Sequence, residues 1–466
     1  MEINWQGEIK KRKSELLNDL KELLKIESVR DESQATKEAP FGPGPRKALD
    51  KFLQMANDDG FKTLNLDGFA GHIEFGTGEE TLGILAHVDV MPAGNGWSTD
   101  PFVPVIQDGR LYARGSSDDK GPSMAAYYGL KLIKELNLPV SKKVRFILGT
   151  DEESGWRCVT HYFEKMPLPD FGFSPDAFFP LINGEKGNVT YSVSFSGENI
   201  GKVTLLDFQA GLRENMVPNE AYCHLSGTDF EIIEKKFKEF ISRNPIQGNV
   251  KQEDGVVKLE VVGKAAHAQE PRNGINAGTY LALFLSDLDL KGSAKNYISF
   301  AAKSLHNDSR MNNFGLRFTD DVMGDLTMNT GIFNFKNSVG GEIVLNFRFP
   351  RGLKASQIEK ALSEEAAILG GTVKLAGKLQ EPHYVPLDDP MVETLLKVYE
   401  RQTGNKGHGI VVGGGTYGRL MERGVAFGAM FPGVPDTMHQ VDEFIPVNDL
   451  LRAAAIYAES IYLLIK

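Results

Sequence analysis

Leu82-Gly83-Ile84-Leu85-Ala86-His87-Val88-Asp89-Val90 is the stretch of this 466-residue chain whose reading decides the fold. Leu82 to Ala86 is a short apolar run of the kind buried on both faces in a parallel sheet, and polar residues begin where it stops. Side chains alternate along an extended chain, so His87 and Asp89 share one side while Val88 turns back to the core. The carboxyl end of a buried strand is where open α/β sheets bind ligands. An imidazole with a carboxylate there is either a metal-ligating histidine oriented by its acid or a capped strand end. Further ligands decide between the two.

On the amino side, Leu16, Leu17, Leu20, Leu23 and Leu24 recur at helical spacing between residues 9 and 27. Glu38 to Arg46, rich in Pro and Gly, reads as a loop before a second helix from about Lys47 that Gly60 stops. Strands are expected near Phe61 to Leu66 and His72 to Phe75. On the carboxyl side, Pro92 to Phe102 reads as a surface loop around Trp97. Ala113-Arg114-Gly115-Ser116-Ser117-Asp118-Asp119-Lys120-Gly121 then opens a helix running to about Leu136. Its paired acids either cap that helix or serve a cation. A strand, Val144 to Leu148, leads into Asp151-Glu152-Glu153. Three consecutive acids at a strand end repel one another, and a metal is the simplest compensation; a solvated acidic turn is the plain alternative. Phe173-Ser174-Pro175-Asp176 adds another acid after a short apolar stretch.

Near Gly184 the pattern changes. Val189, Tyr191, Val193 and Phe195 alternate with Thr190, Ser192 and Ser194, a half-solvated antiparallel strand. Helices follow with Phe230, Ile233, Phe237 and Phe240 on one face, from about Ala277 to Leu288, and from about Ser356 to Leu369. Strands are read around Val257 to Val261 and from Ile343 to Phe349, whereas residues 294–331 show no readable period. This is a separate α+β domain inserted into the first. From about Pro386 the outer domain resumes, with Gly413-Gly414-Gly415-Thr416-Tyr417-Gly418-Arg419, His439 and a terminal helix from about Val447. The glycine run lacks both the phosphate-loop ending and the dinucleotide spacing, which excludes nucleotide binding.

Hydrophobic residues make up 41% of the chain, enough for two or three cores. The formal net charge of −10 argues against nucleic-acid or anionic-membrane partners. Two cysteines, Cys158 and Cys223, form no disulfide framework, no signal peptide is readable, and no apolar run approaches a membrane span. The expected location is the cytoplasm.

Taken together, His87-Val88-Asp89, Arg114 to Gly121, Asp151-Glu152-Glu153, Ser174-Pro175-Asp176 and His439 resemble the aminoacylase and carboxypeptidase-G superfamily of two-metal peptidases. Pro43-Gly44-Pro45, Glu381 to Pro386 and Gly413 to Arg419 are similar to its PepV-type bacterial dipeptidases. The resemblance covers nearly the whole chain. It implies an α/β fold with a mixed, largely parallel sheet flanked by helices, carrying an inserted α+β lid. The domains would be 1–185 and 384–466 for the catalytic part and 186–383 for the lid. It also implies two divalent ions, zinc with manganese or cobalt as alternatives. His87 and Asp176 would hold one, Glu153 and His439 the other, and Asp118 would bridge both. Glu152 would be the general base and Asp89 would orient His87. His267 would reach the reacting carbonyl, and Arg348, Asn215, Gly414 and Gly415 would contact substrate. The peptide bond between Asp118 and Asp119 would be cis. In the strand Ile343 to Phe349 the odd residues are apolar, so Arg348 points off the core independently of any family, where the pattern alone reads as a solvated arginine.

Such a site suits hydrolysis of unblocked dipeptides, since two ions activate a water and polarise the carbonyl. The insert resembles the doubled lid of the PepV type, which implies a monomer. The rivals are an N-acyl-amino-acid deacylase sharing every ligand, a non-catalytic peptide-binding module, which retention of Glu152 argues against, and a two-metal phosphatase.

Overall fold

The computed structural model describes residues 3–197 and 201–466, which divide into two compact units. One comprises the described residues through Gly184 together with Tyr384–Ile410 and Gly415–Lys466. The other comprises Glu185–His383 and Val411–Gly414. Val411–Gly414 thus groups with the inserted unit, whereas the sequence places it in the outer domain. The Lys186 amide donates to the Val412 carbonyl at 2.9 Å, and Arg348 Nη1 donates to the Gly413 carbonyl at 2.5 Å.

In the first unit the strands lie in the order Lys62–Leu66, Ala70–Phe75, Lys143–Gly149, Thr81–His87, Phe171–Ser174, Gly424–Ala426. The first two junctions are antiparallel and the next three parallel, so the sheet is mixed with a parallel centre. Thr81–His87 is buried along its whole length, as its unbroken apolar run requires. The parallel register sets His87 opposite Gly149, so the polar ends of neighbouring strands emerge on one edge. Helix Lys120–Glu135 packs against the terminal helix Val447–Ile465, and Gly129 permits the approach. A Cβ there would stand 2.8 Å from the Ala458 nitrogen.

The loop expected over Glu38 to Arg46 ends early, because helix Pro43–Asp58 begins inside it. Pro43 stands in the first turn, where a missing N–H costs nothing, and Gly42 supplies the φ of +97° that precedes it.

The second unit is an eight-stranded sheet, antiparallel throughout. Its order is Gln247–Glu253, Val256–Val262, Glu220–Ser226, Thr204–Ala210, Thr327–Lys336, Gly340–Phe349, Gly187–Phe195, Thr372–Leu375. Helices Phe230–Ser242, Ala277–Leu285, Gly292–Ser299 and Ala355–Ile368 contribute to its core with the inward residues of the strands. The strand Gly187–Phe195 is less solvated than expected: Thr190 and Ser192 are buried. Thr190 Oγ1 accepts from Asn346 Nδ2 at 2.9 Å, and Thr372–Leu375 pairs along Tyr191 to Ser194. The unreadable stretch begins as helix Gly292–Ser299 and continues as a π-helical turn, Phe300–Leu305, whose wider spacing breaks the 3.6-residue period. Both cysteines are free and buried, Cys158 in the first unit and Cys223 in the second. No helix of the described residues is long and apolar enough to cross a membrane.

Candidate active site

Three ends of parallel strands in the first unit deliver acids and a histidine to one place. His87 closes the strand Thr81–His87, Glu152 and Glu153 sit in the turn after Lys143–Gly149, and Asp176 follows Phe171–Ser174. Asp118 arrives from the loop before helix Lys120–Glu135, and its peptide bond to Asp119 is cis. His439 arrives from the loop before Phe444–Pro446 with a left-handed φ of +62°.

The result is two groups of metal-ligating side chains, His87, Glu152 and Asp176 in one, Asp118, Glu153 and His439 in the other. Within each, the candidate donor atoms lie within 4.8 Å of one another. Asp118 touches both histidines through different oxygens: Oδ1 is 3.1 Å from His87 Nε2 and Oδ2 is 2.9 Å from His439 Nε2. Asp176 Oδ2 lies 3.5 Å from His87 Nε2, and Glu153 Oε2 lies 2.9 Å from His439 Nε2. All six residues belong to one unit.

Four carboxylates and two imidazoles make a strongly acidic pocket, and its protonation shows the excess. Burial pushes Glu152 well above the usual carboxylate range. Burial and the charge of Asp118 push Glu153 up to about 7 and raise Asp176. Asp118 and Glu153 push His439 up to about 11. Against its own burial, Asp118 is held low by hydrogen bonds from His439 and His87. Buried acids that can shed their charge only by protonation are a donor set for cations, and mixed imidazole and carboxylate donors fit zinc or manganese.

The neighbours of this cluster correct two sequence readings. Asp151, the first of the three consecutive acids, stays outside both groups: its Oδ1 accepts from Arg30 Nη1 at 2.7 Å and its Oδ2 from the Arg157 amide at 3.0 Å. The compensation there is an arginine. Asp119 makes no side-chain cap to its helix; its Oδ2 accepts from the His87 amide at 3.1 Å and from Ser123 Oγ at 2.9 Å. Asp89 does more than face His87. The imidazole Nδ1 is 3.0 Å from the Asp89 carbonyl and 3.5 Å from its Oδ1. The same carboxylate accepts from the amides of Glu152 at 3.1 Å and Glu153 at 3.2 Å, so it fixes the acidic turn as well.

The remaining candidates are in the second unit, apart from Gly415, which falls in the first. The Ala268 amide donates to the Asn215 carbonyl at 2.9 Å and the Val217 amide to the Ala266 carbonyl at 2.8 Å, so the segments carrying Asn215 and His267 run side by side. His267 Nδ1 accepts from the Gln269 amide at 3.2 Å, which leaves the ring proton on Nε2. Burial, then the charge of Arg348, lowers its pKa, which favours the neutral ring. Arg348 is buried; its Nε donates to Asn346 Oδ1 at 3.0 Å, and Asn346 Nδ2 donates to Asn188 Oδ1 at 2.8 Å. Gly413 packs close against Gln269, where a Cβ would meet its side chain at 2.8 Å, and Gly414 follows it.

Comparison with known proteins places the chain in a family. A model described as peptidase family M20/M25/M40 matches residues 83–463. The chain is 44% identical over 467 residues to the protein YtjP of Bacillus subtilis (strain 168), spanning 100% of both. It is 42% identical over 469 residues to the Beta-Ala-Xaa dipeptidase of Lactobacillus delbrueckii subsp. lactis, spanning 100% of this chain and 99% of that one. Among solved structures, human carnosine dipeptidase 1 has a TM-score of 0.59 at 16% identity over 98% of this chain and 97% of that one, a likeness of fold.

Proposed function

The chain belongs to peptidase family M20/M25/M40, and from that membership we propose that it is a metal-dependent dipeptidase acting on unblocked dipeptides. One observation carries the reading: four carboxylates and two imidazoles converge in two groups, with Asp118 reaching both histidines through separate oxygens. We assign His87 and Asp176 to one divalent ion, Glu153 and His439 to the other, and Asp118 to both, with zinc as the ion and manganese or cobalt as its rivals. Such ions, when bound, supply a water that ionises near neutral pH and an electrophile for the scissile carbonyl.

The protein's own groups do the rest. Glu152 takes the proton from the attacking water and returns it to the nitrogen of the departing amine. Asp89 holds the turn that carries it. The neutral His267 donates from Nε2 to the carbonyl oxygen as negative charge develops there. Arg348, held by Asn346 and the Gly413 carbonyl, takes the substrate's terminal carboxylate, while Asn215, Gly414 and Gly415 line the peptide. The full-length likeness to a Beta-Ala-Xaa dipeptidase supports a dipeptide over an N-acyl amino acid. We further propose a cytoplasmic monomer, a state that sedimentation measures.

The deciding experiment assays metal-stripped protein, re-supplied with zinc, manganese or cobalt, on free dipeptides, N-acylated amino acids and C-amidated dipeptides. Free dipeptides should be the best substrates with one of the three ions. Faster turnover of N-acylated amino acids would replace the dipeptidase reading with a deacylase.

A further inference from the structure

Glu443 has no exposed surface, and its carboxylate is spent on the loop that carries Asp118. Oε2 accepts from the Gly115 amide at 3.0 Å and from Arg114 Nη1 at 2.7 Å. Oε1 accepts from the amides of Ser117 at 2.7 Å and Asp118 at 3.1 Å. The main chains join as well: the Ala113 amide donates to the Glu443 carbonyl at 3.2 Å, and Phe444 pairs with Tyr112. Arg114 is in turn enclosed, with Nη2 donating to the Pro92 carbonyl at 3.2 Å and the Trp97 ring 5.3 Å from its guanidinium carbon. Trp97 therefore lies against the guanidinium of Arg114, where the sequence suggests only a surface loop.

Glu443 lies four residues after His439, and His439 meets Asp118 at 2.9 Å in the same ligand group. One buried side chain thus fastens the segment of one ligand to the loop of the other. Resting on the two-ion reading, we propose that Glu443 is a positioning residue for the ion held by Asp118, Glu153 and His439. It fixes the separation of the Asp118 and His439 loops, and Arg114 holds it in that pose. Ligand geometry must be kept to a fraction of an ångström, and successive amides pointing at one carboxylate form a rigid anion-binding concavity. Toward the ion of His87 and Asp176, Glu443 acts only through the shared Asp118, whereas for the other ion it sets both the Asp118 loop and the His439 segment. Glu443→Gln keeps the volume, but its NH₂ faces amide donors, so one half of the clasp is lost.

The test is calorimetric titration of the metal-stripped full-length protein with Zn²⁺, alongside the dipeptide KM and kcat at each zinc concentration. The parent should take up two ions. Glu443→Gln should bind the second ion ~10- to 10²-fold more weakly and the first, which shares only Asp118 with this clasp, with a smaller loss, with kcat restored by excess zinc and KM unchanged. Arg114→Gln leaves the three amide bonds and should weaken the same ion less; it decides the matter if Glu443→Gln fails to fold. An unchanged second affinity, with or without lowered thermal stability, overturns the proposal, and so does equal weakening of both ions. Fewer than two ions on the parent would instead fail the two-ion reading, and the role of Glu443 falls with it.

Discussion

Replacing Glu152 with Gln removes a base while keeping its shape, so the variant should retain two ions yet lose at least ~10²-fold in kcat, measured beside metal content. A variant of nearly full activity would exclude Glu152 from proton transfer. Arg348→Ala tests recognition instead. Its kcat/KM for a free dipeptide should fall ~10- to 10²-fold, and the preference for the acid over its amide should vanish; Arg348→Lys should restore little, because a point charge lacks the planar fork. An intact acid-over-amide preference in Arg348→Ala would place carboxylate binding elsewhere. The six clustered side chains were readable from the chain because each stands at the end of an apolar run, in a run of acids, or within a motif of the resembling family. Glu443 was not, since its partners are mostly main-chain amides, which leave no trace in composition. Asp151 was misjudged for a related reason: its counter-ion, Arg30, lies 121 residues away.

Elements whose burial is one-sided or complete are readable from pattern, and the strands around His87, Val144 and Ile343 fall where periodicity puts them. Elements fail to show where local chemistry overrides composition. Pro43 and Pro45 look like loop residues yet occupy a first helical turn, and the π-helical turn at Phe300–Leu305 departs from the 3.6-residue period of the helix before it. One element carries a pH signature. His72, on the strand Ala70–Phe75, is buried against helix Arg157–Lys165, with Nδ1 2.7 Å from the Tyr162 hydroxyl. Burial lowers its pKa from 6.5 to about 4. The unfolded chain therefore binds this proton first, so the contribution of neutral His72 is intact above pH 6.5 and is lost as pH falls through about 4. Urea unfolding of parent and His72→Gln should show a shallower decline for the variant between those pH values. Parallel declines would mean that His72 does not titrate on unfolding.

At the scale of the whole chain, all six candidate site residues belong to the first unit, so metal should stabilise that unit alone. Zinc at 100 times its dissociation constant should contribute ~2.7 kcal/mol per site, and a chelator should lower the first unit's unfolding midpoint while sparing the second's. A midpoint indifferent to chelation would mean no ion is held at equilibrium. The two-unit division follows the change from continuous apolar strands to alternating ones near Gly184, but Val411–Gly414 is too short to carry any period and its grouping shows only through hydrogen bonds. The two cysteines are distributed one to each unit. Burial pushes Cys158 up to about 12 and raises Cys223 well above the ordinary thiol value, so neither is nucleophilic until its surroundings come apart. Alkylation of the native protein should accordingly be slow, and peptide mapping after a timed pulse of iodoacetamide should stamp each unit with its own opening time. The wild-type chain is thus already a two-channel clock, needing no engineered label to report which half breathes first.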